Sequence, residues 1–361
     1  MKIRKFLLLS FMLFLVSAVI FVVGAYFDEF AEFYSVTVSS FIRCGLSYIT
    51  GFTNFSIAEI VLFALVPAMA AIIVLIIVYL FVKLSAALRI LCYLLGSSLL
   101  LGSLFINSFG ICYFRKSLEE NMNLQRKHLT REELYNCSLD IKTELEQKLD
   151  KIDFGNDYAS VNPHTWNEMS ELIDRGYDKL ISEYDFISNI NAVSKKIIFS
   201  PYMTYTHISG IYMPLTGEAN INTNYPDYVV TFTMAHEKAH QRGIAGEDEA
   251  NFIAFLALSV SDDVYLQYSA YMSMYDYYLD AMYEHDREMY SYMIEQSDRR
   301  VLGEMYAYSV FFDKYRNSPA SKVSDTVNDT YIKVMGDDEG TKSYGNVVEL
   351  VYAYKSKKSL R

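Results

Sequence analysis

Basic charge is in deficit: 32 Lys and Arg stand against 43 Asp and Glu, a net charge of −11 over 361 residues. A nucleic-acid partner requires a basic field, and the chain has no glycine-rich phosphate loop, so nucleic acid is excluded as a partner. Cysteine is scarce as well. Cys44, Cys92, Cys112 and Cys137 include no C-x-x-C pair and do not form a metal knuckle. One disulfide among Cys44, Cys112 and Cys137 is allowed, with no pairing assigned. No internal repeat is present. Three stretches lack charge altogether, residues 6–27, 60–82 and 90–114.

Each of these runs is long enough to cross a hydrocarbon core of about 30 Å as a helix. The sequence therefore predicts a membrane region over 1–114 with three transmembrane helices, and a second region over 115–361. Uncharged spans argue against an intramembrane proton path or protease site. The first run follows a basic leader, Lys2, Arg4 and Lys5. It is longer than the apolar part of a signal peptide and lacks a small-x-small cleavage site, so it is expected to stay as an anchor. Gly96, Ser97, Ser98, Gly102 and Ser103 in the third run allow close helix packing. Lys83 and Arg89 lie between the second and third runs, whereas Arg43 is the only basic residue of 28–59. The excess of basic residues then places the N-terminus in the cytoplasm and everything after Phe114 outside. Residues 29–59, rich in Phe, Tyr, Ser and Thr, suit a cap at the outer leaflet.

What stands out in the second region is one H-E-x-x-H, at His236, Glu237 and His240. Four residues apart on a helix, the two imidazoles share a face. Zinc-dependent hydrolysis needs two neutral nitrogen ligands, an open coordination position and a carboxylate that takes a water's proton, the role Glu237 would fill. Pro226 and Asp227 open the helix, and Gly243 stops it after about four turns. A third ligand must follow, and the run GEDEANFIAF offers Glu247, Asp248 and Glu249. The chain resembles the gluzincin class of zinc hydrolases, whose second helix carries E-x-x-x-D. On that resemblance Glu247 is the third ligand and Asn251 replaces the usual Asp beside a ligand imidazole; the link from His240 is short and spacing does not choose, so Glu249 is the alternative. The metzincin pattern fails, because Gly246 stands where it needs a histidine.

Around the motif, Thr130 with Glu133 and Thr165 with Glu168 read as capping boxes on two helical units, separated by a loop over 155–163. Residues 196–200, 207–213 and 219–222 read as extended. The stretch TGEANIN is a candidate for a sheet edge that pairs with an extended substrate. Tyr268, Tyr271, Tyr275, Tyr278 and Leu279 recur at helical spacing, a core stripe; one tyrosine could serve as an oxyanion donor. His128 and His164 have no partners at ligand spacing and read as surface or cap histidines; His207, within YTHISG, lies near enough in sequence to approach the metal but reads as a histidine satisfied by the core, and His285, flanked by charges, as exposed. Ser318 to Ser321 reads as a polar linker before two short helices around Val327 and Val348 and a basic tail. FYSVTVSSFI, FSIAEI, GIYMPLTGEANIN, AHEKAHQRGIAGEDEANFIAFLA, VNDTYIKVMG and GTKSYGNVVELVYAY together resemble the family of domain of unknown function 3810. That resemblance implies a multi-pass envelope protein with a zincin-like outer domain and supplies no substrate.

The expected fold is thus a helical membrane region plus a mainly α, α+β zincin-like extracytoplasmic domain with a small β-sheet, its metal-site core over about 195–260. The expected activity is a zinc-dependent metallopeptidase acting on a peptide or protein of the cell envelope. The alternatives are a non-catalytic, zinc-stabilised binding or scaffold module, and an amidase for cell-wall peptide bonds with the same ligands.

Overall fold

The computed structural model describes residues 2–334 and 346–359. The chain divides into two compact units, residues 1–116 with 213–218 and residues 117–212 with 219–361.

In the first unit, α1 (Lys2–Tyr26) leads into α2 (Asp28–Tyr34), a π-helical turn (Ser35–Ser39) and α3 (Ser40–Thr50). Then come α4 (Ile57–Val82) and α5 (Leu84–Ser108). α1, α4 and α5 are long and apolar enough to cross a membrane. Leu9, Val66 and Leu95 are among the many large apolar side chains left exposed, surface that lipid would cover. α5 begins at Leu84 rather than residue 90, because nothing between the two breaks a helix. Arg89 therefore lies within its first two turns, its Nε donating to the Ser85 carbonyl at 3.1 Å. A Cβ on Gly96 would come within 2.4 Å of the Phe6 ring, and one on Gly102 within 3.2 Å of Phe14, so these glycines let α1 and α5 pack closely. Ser103 is buried too, but Ser97 and Ser98 are exposed and take no part.

The helical stretch from α2 to α3 is amphipathic in the reverse sense of a water-facing helix. Ser35, Ser39, Arg43 and Ser47, at four-residue spacing, are buried, whereas Phe33, Phe41 and Tyr48 are exposed. Arg43 donates to the carbonyls of Ser108 and Ser35 and lies 3.2 Å from Cys112 Sγ. All four cysteines are free thiols.

The second unit contains α6 (Leu118–Met122), α7 (Arg131–Glu146), α8 (Trp166–Ile181), β1 (Lys195–Lys196), α9 (Ser200–Met203), β2 (Gly210–Met213) and β3 (Glu218–Ile221). They are followed by α10 (Asp227–Gln241), α11 (Glu247–Ser259), α12 (Val264–His285), α13 (Arg287–Glu295), α14 (Arg299–Asp313), α15 (Pro319–Val334) and α16 (Val347–Ser359). Both capping boxes are formed, at Thr130 with Glu133 and at Thr165 with Glu168. Of the residues read as extended, 198–200 instead turn into α9, with Pro201 in its first turn, and 207–209 lie ahead of β2 rather than in it. Pro319 likewise opens α15, so the expected linker at 318–321 is a helix start, with Ser318 Oγ accepting from the Ala320 N–H. Residues 335–345 and the last two of the basic tail lie outside the described residues.

α10, α11 and α12 form the centre of the core. α8 closes on α11 where Gly176 meets the Ala257 carbonyl, a Cβ there falling 2.2 Å from that oxygen. Buried charges fix α8 to α10. Asp174 accepts from Lys238 Nζ and Arg242 Nη2, both at 2.7 Å, and Arg242 stacks on Tyr177, 4.1 Å from the ring centroid. Burial pushes the Lys238 ammonium down to about 8, with Asp174 opposing. The tyrosine stripe lies in α12, where Tyr268, Tyr275, Tyr278 and Leu279 are buried, as core residues.

The three strands take the order β1-β3-β2, with β1 and β3 parallel. This corrects the expectation for TGEANIN. Its strand, β3, is the central one and buried throughout, and the edges are β1 and β2, the latter being the preceding GIYM. Alternation of residue types could not show this, because pairing order is a long-range property.

Candidate metal centre

α10 carries both motif histidines on its buried face, and the turn after it closes at Gly243, whose φ of +93° suits glycine. Gly246 then starts α11, so a short link returns the next helix to the imidazoles. Three carboxylates sit in the first turn of α11, and the fold sends each to a different place. Glu247 Oε2 lies 3.2 Å from His236 Nε2 and 3.4 Å from His240 Nε2. Asp248 pairs with Arg126 at 2.7 Å, within a cluster that includes Glu119 and Glu349. Glu249 Oε1 accepts the Leu118 N–H at the start of α6, at 2.8 Å. Of the two candidates, Glu247 faces the histidines and Glu249 holds another helix.

The ring orientations are set from behind. His236 Nδ1 donates to Asn251 Oδ1 at 2.8 Å, and His240 Nδ1 donates to the Ile244 carbonyl at 2.8 Å. With both Nδ1 atoms acting as donors, each Nε2 presents a lone pair, and the two stand 3.0 Å apart. Two lone pairs that close repel unless a metal ion or a proton lies between them, so the same spacing suits a bound ion or, without one, a protonated His240. Among the described residues, His236, His240 and Glu247 form a group able to hold a metal ion, their donor atoms all within 4.8 Å of one another. Asn251 Nδ2 is buried with no hydrogen-bond partner among the described residues, so the amide adds orientation but no negative charge.

Glu237 sits beside this group and accepts the backbone N–H of Tyr212 in β2. Burial raises its carboxyl and the two imidazoles lower it, with a net shift upward, which favours a carboxylate able to take a proton. For Glu247 burial also works upward, but His240 and His236 outweigh it and hold the carboxyl well below the usual range. For His240 burial works downward, and Glu247 and Glu237 outweigh it, raising the imidazole to about 9. The motif did not disclose Gly210. A Cβ there would lie 2.6 Å from Glu237 Oε1 and from Thr233 Cγ2, so only glycine lets β2 cross α10 at this point. A glycine inside a strand was the available signal.

Tyr277 is the second residue that spacing missed. Its ring meets Phe232, one turn before His236, with centroids 6.4 Å apart; burial first, then the charge of Glu247, raises its hydroxyl. Beside it Asp276 accepts from the Tyr228 hydroxyl at 3.2 Å. Burial, with Asp280 adding repulsion, pushes the Asp276 carboxyl up to about 8. A carboxyl raised by folding binds a proton that the unfolded chain has released, so stability falls as pH rises from about 4 to about 8. Asp276→Asn removes that loss. Thermal melts at pH 9 are expected to show the variant more stable than the parent by about 1–2 kcal/mol, the gain vanishing below pH 4. Equal melting curves at pH 9 would reject this protonation.

The remaining histidines lie elsewhere. His128 pairs with Glu349 at 2.7 Å, His164 with Asp263 at 2.8 Å, and His207 Nε2 donates to the Tyr315 carbonyl at 2.9 Å. His285 is exposed at the end of α12.

Residues 34–352 match the family described as "Protein of unknown function (DUF3810)". No curated protein and no solved structure matches the chain.

Proposed function

The chain belongs to the DUF3810 family, described by its lack of a known function, and from its site we propose a membrane-anchored, zinc-dependent metallopeptidase of gluzincin type. One observation carries this reading. Donor atoms about 2.0–2.1 Å from a tetrahedral zinc stand about 3.3–3.4 Å apart. The donor triangle here has sides of 3.0, 3.2 and 3.4 Å, with both imidazoles turned inward by their Nδ1 bonds.

In this reading His236 and His240 would hold zinc through Nε2, and Glu247 would hold it through Oε2. When bound, zinc supplies a Lewis acid that acidifies a water and polarises a carbonyl. Glu237 takes the proton of the attacking water and returns it to the leaving amine. The Tyr212 N–H keeps that carboxylate aimed, and a tyrosine hydroxyl of α12 is the candidate donor to the developing oxyanion. The basic residues Lys2, Arg4, Lys5 and Lys83 support a cytoplasmic N-terminus; with three crossings the site would then face the outside, and its substrate would be a peptide or protein of the envelope.

Metal content of the purified full chain, measured by mass spectrometry, comes first. A peptide-library assay with and without chelator follows. A single zinc per chain with chelator-sensitive cleavage supports the reading; zinc without cleavage of any peptide rejects a peptidase. The Asn251 amide gives a finer test. Asn251→Ala is expected to weaken zinc binding by about 10–100-fold, and Asn251→Asp to tighten it, in competition titrations with a chromogenic chelator. Unchanged affinity in both would remove Asn251 from the site.

A further inference from the structure

The turn of the β2–β3 hairpin belongs to a different unit from its two legs. Residues 213–218 pack with the unit of the apolar helices, whereas residues 210–212 and 219–221 belong to the unit with the histidines. Within the first unit the turn is held firmly. Glu218, 1% exposed, accepts the Ile57 N–H with one carboxylate oxygen at 3.0 Å and the Ala58 N–H with the other at 2.8 Å. Ser56 Oγ accepts the Glu59 N–H. Three amides at the start of α4, which no residue of that helix could satisfy, are thus bound by side chains, and the Glu218 charge meets the positive end of its dipole.

The rest of the turn is equally specified. Ser47 Oγ donates to the Gly217 carbonyl at 2.7 Å, and Thr50 Oγ1 to the Thr216 carbonyl at 3.2 Å. Gly217 has φ +69°, and a Cβ on it would lie 2.7 Å from the Ser47 nitrogen, so both backbone and space demand glycine. In the other unit, β2 touches the catalytic candidate directly, through Gly210 against Glu237 and through the Tyr212 N–H on its carboxylate. Only Met213 separates Tyr212 from the turn's Pro214.

We propose that Glu218 is a positioning residue for this site: by capping α4 it anchors the hairpin whose first strand aims Glu237, so that the second apolar helix and the proposed general base are mechanically linked. The anchor is a charge-assisted cap on a long helix, and the link from it to the Tyr212 amide is short and hydrogen-bonded. A shift at the start of α4 is then passed to the Glu237 carboxylate.

The test uses the full chain in lipid nanodiscs. Amide exchange over residues 210–213 is expected to accelerate at least about tenfold in Glu218→Ala, the loss of one strong cap. Glu218→Gln, which keeps an accepting oxygen, should recover much of the protection. Zinc content should not change, since no ligand lies on the hairpin. The kinetic arm rests on the peptidase reading: kcat should fall in Glu218→Ala with KM little altered. If the parent cleaves nothing, that reading fails while the exchange result still decides this one. Faster exchange at residues 57–59 with none at 210–213 would overturn the link. Should Glu218→Ala not fold, Ser47→Ala, which removes the bond to the Gly217 carbonyl, is read in the same way with the same two outcomes.

Discussion

Glu237→Gln is expected to lower peptide hydrolysis by about 10²–10⁴-fold, the usual worth of a general base, while zinc remains at the level of the parent. The amide is nearly the same size, and its carbonyl oxygen can still accept the Tyr212 N–H, so the strand over α10 should stay in place. Glu237 is not among the grouped donor atoms, so the metal should be held as before. What is lost is the ability to take a proton. Parallel measurement of hydrolysis rate and metal content separates the two roles. A variant as active as the parent would rule out Glu237 as the base, and loss of zinc would make it a ligand.

The second large effect is expected from the pair Glu247→Gln and Glu249→Gln, which differ by two positions. Glu247→Gln removes the negative charge that contacts both Nε2 atoms, and zinc affinity should fall by at least about 100-fold. Glu249→Gln should leave affinity within about threefold, since its side chain accepts from Leu118 instead. Its cost belongs to stability, about 1 kcal/mol for a weakened helix cap. Competition titration of zinc against both variants decides the assignment. A reversal, with Glu249→Gln losing the metal, would require α11 to rotate by about half a turn on binding.

Several features were legible because they are local. The capping boxes at Thr130 and Thr165 involve residues three apart, and the ends of α10 follow from Pro226, Asp227 and Gly243. The three apolar helices were legible from run length alone. The start of α5 was not, because Arg89 reads as loop by charge although the helix passes through it without a break. Ser318 to Ser321 reads as linker by composition, yet Pro319 lacks only an N–H that the first turn of a helix does not use. The sheet edge was misplaced for a different reason. β2 and β3 have similar patterns, and only the pairing of β1 with Asn220 and Ile221 makes β3 central.

By itself the sequence determined the three apolar helices, the helix that carries His236, Glu237 and His240, and the cluster of carboxylates that follows Gly243. Each depends on periodicity, caps or breakers within a few residues. The tertiary structure decided that Glu247 meets the imidazoles while Glu249 holds α6, that Gly210 crosses above Glu237, and that the Tyr277 ring packs on Phe232. Those outcomes join residues brought together by the packing of α10, α11 and α12 and by strand order. A one-dimensional pattern carries no information on the direction in which a helix turns its individual side chains until its neighbours are in place.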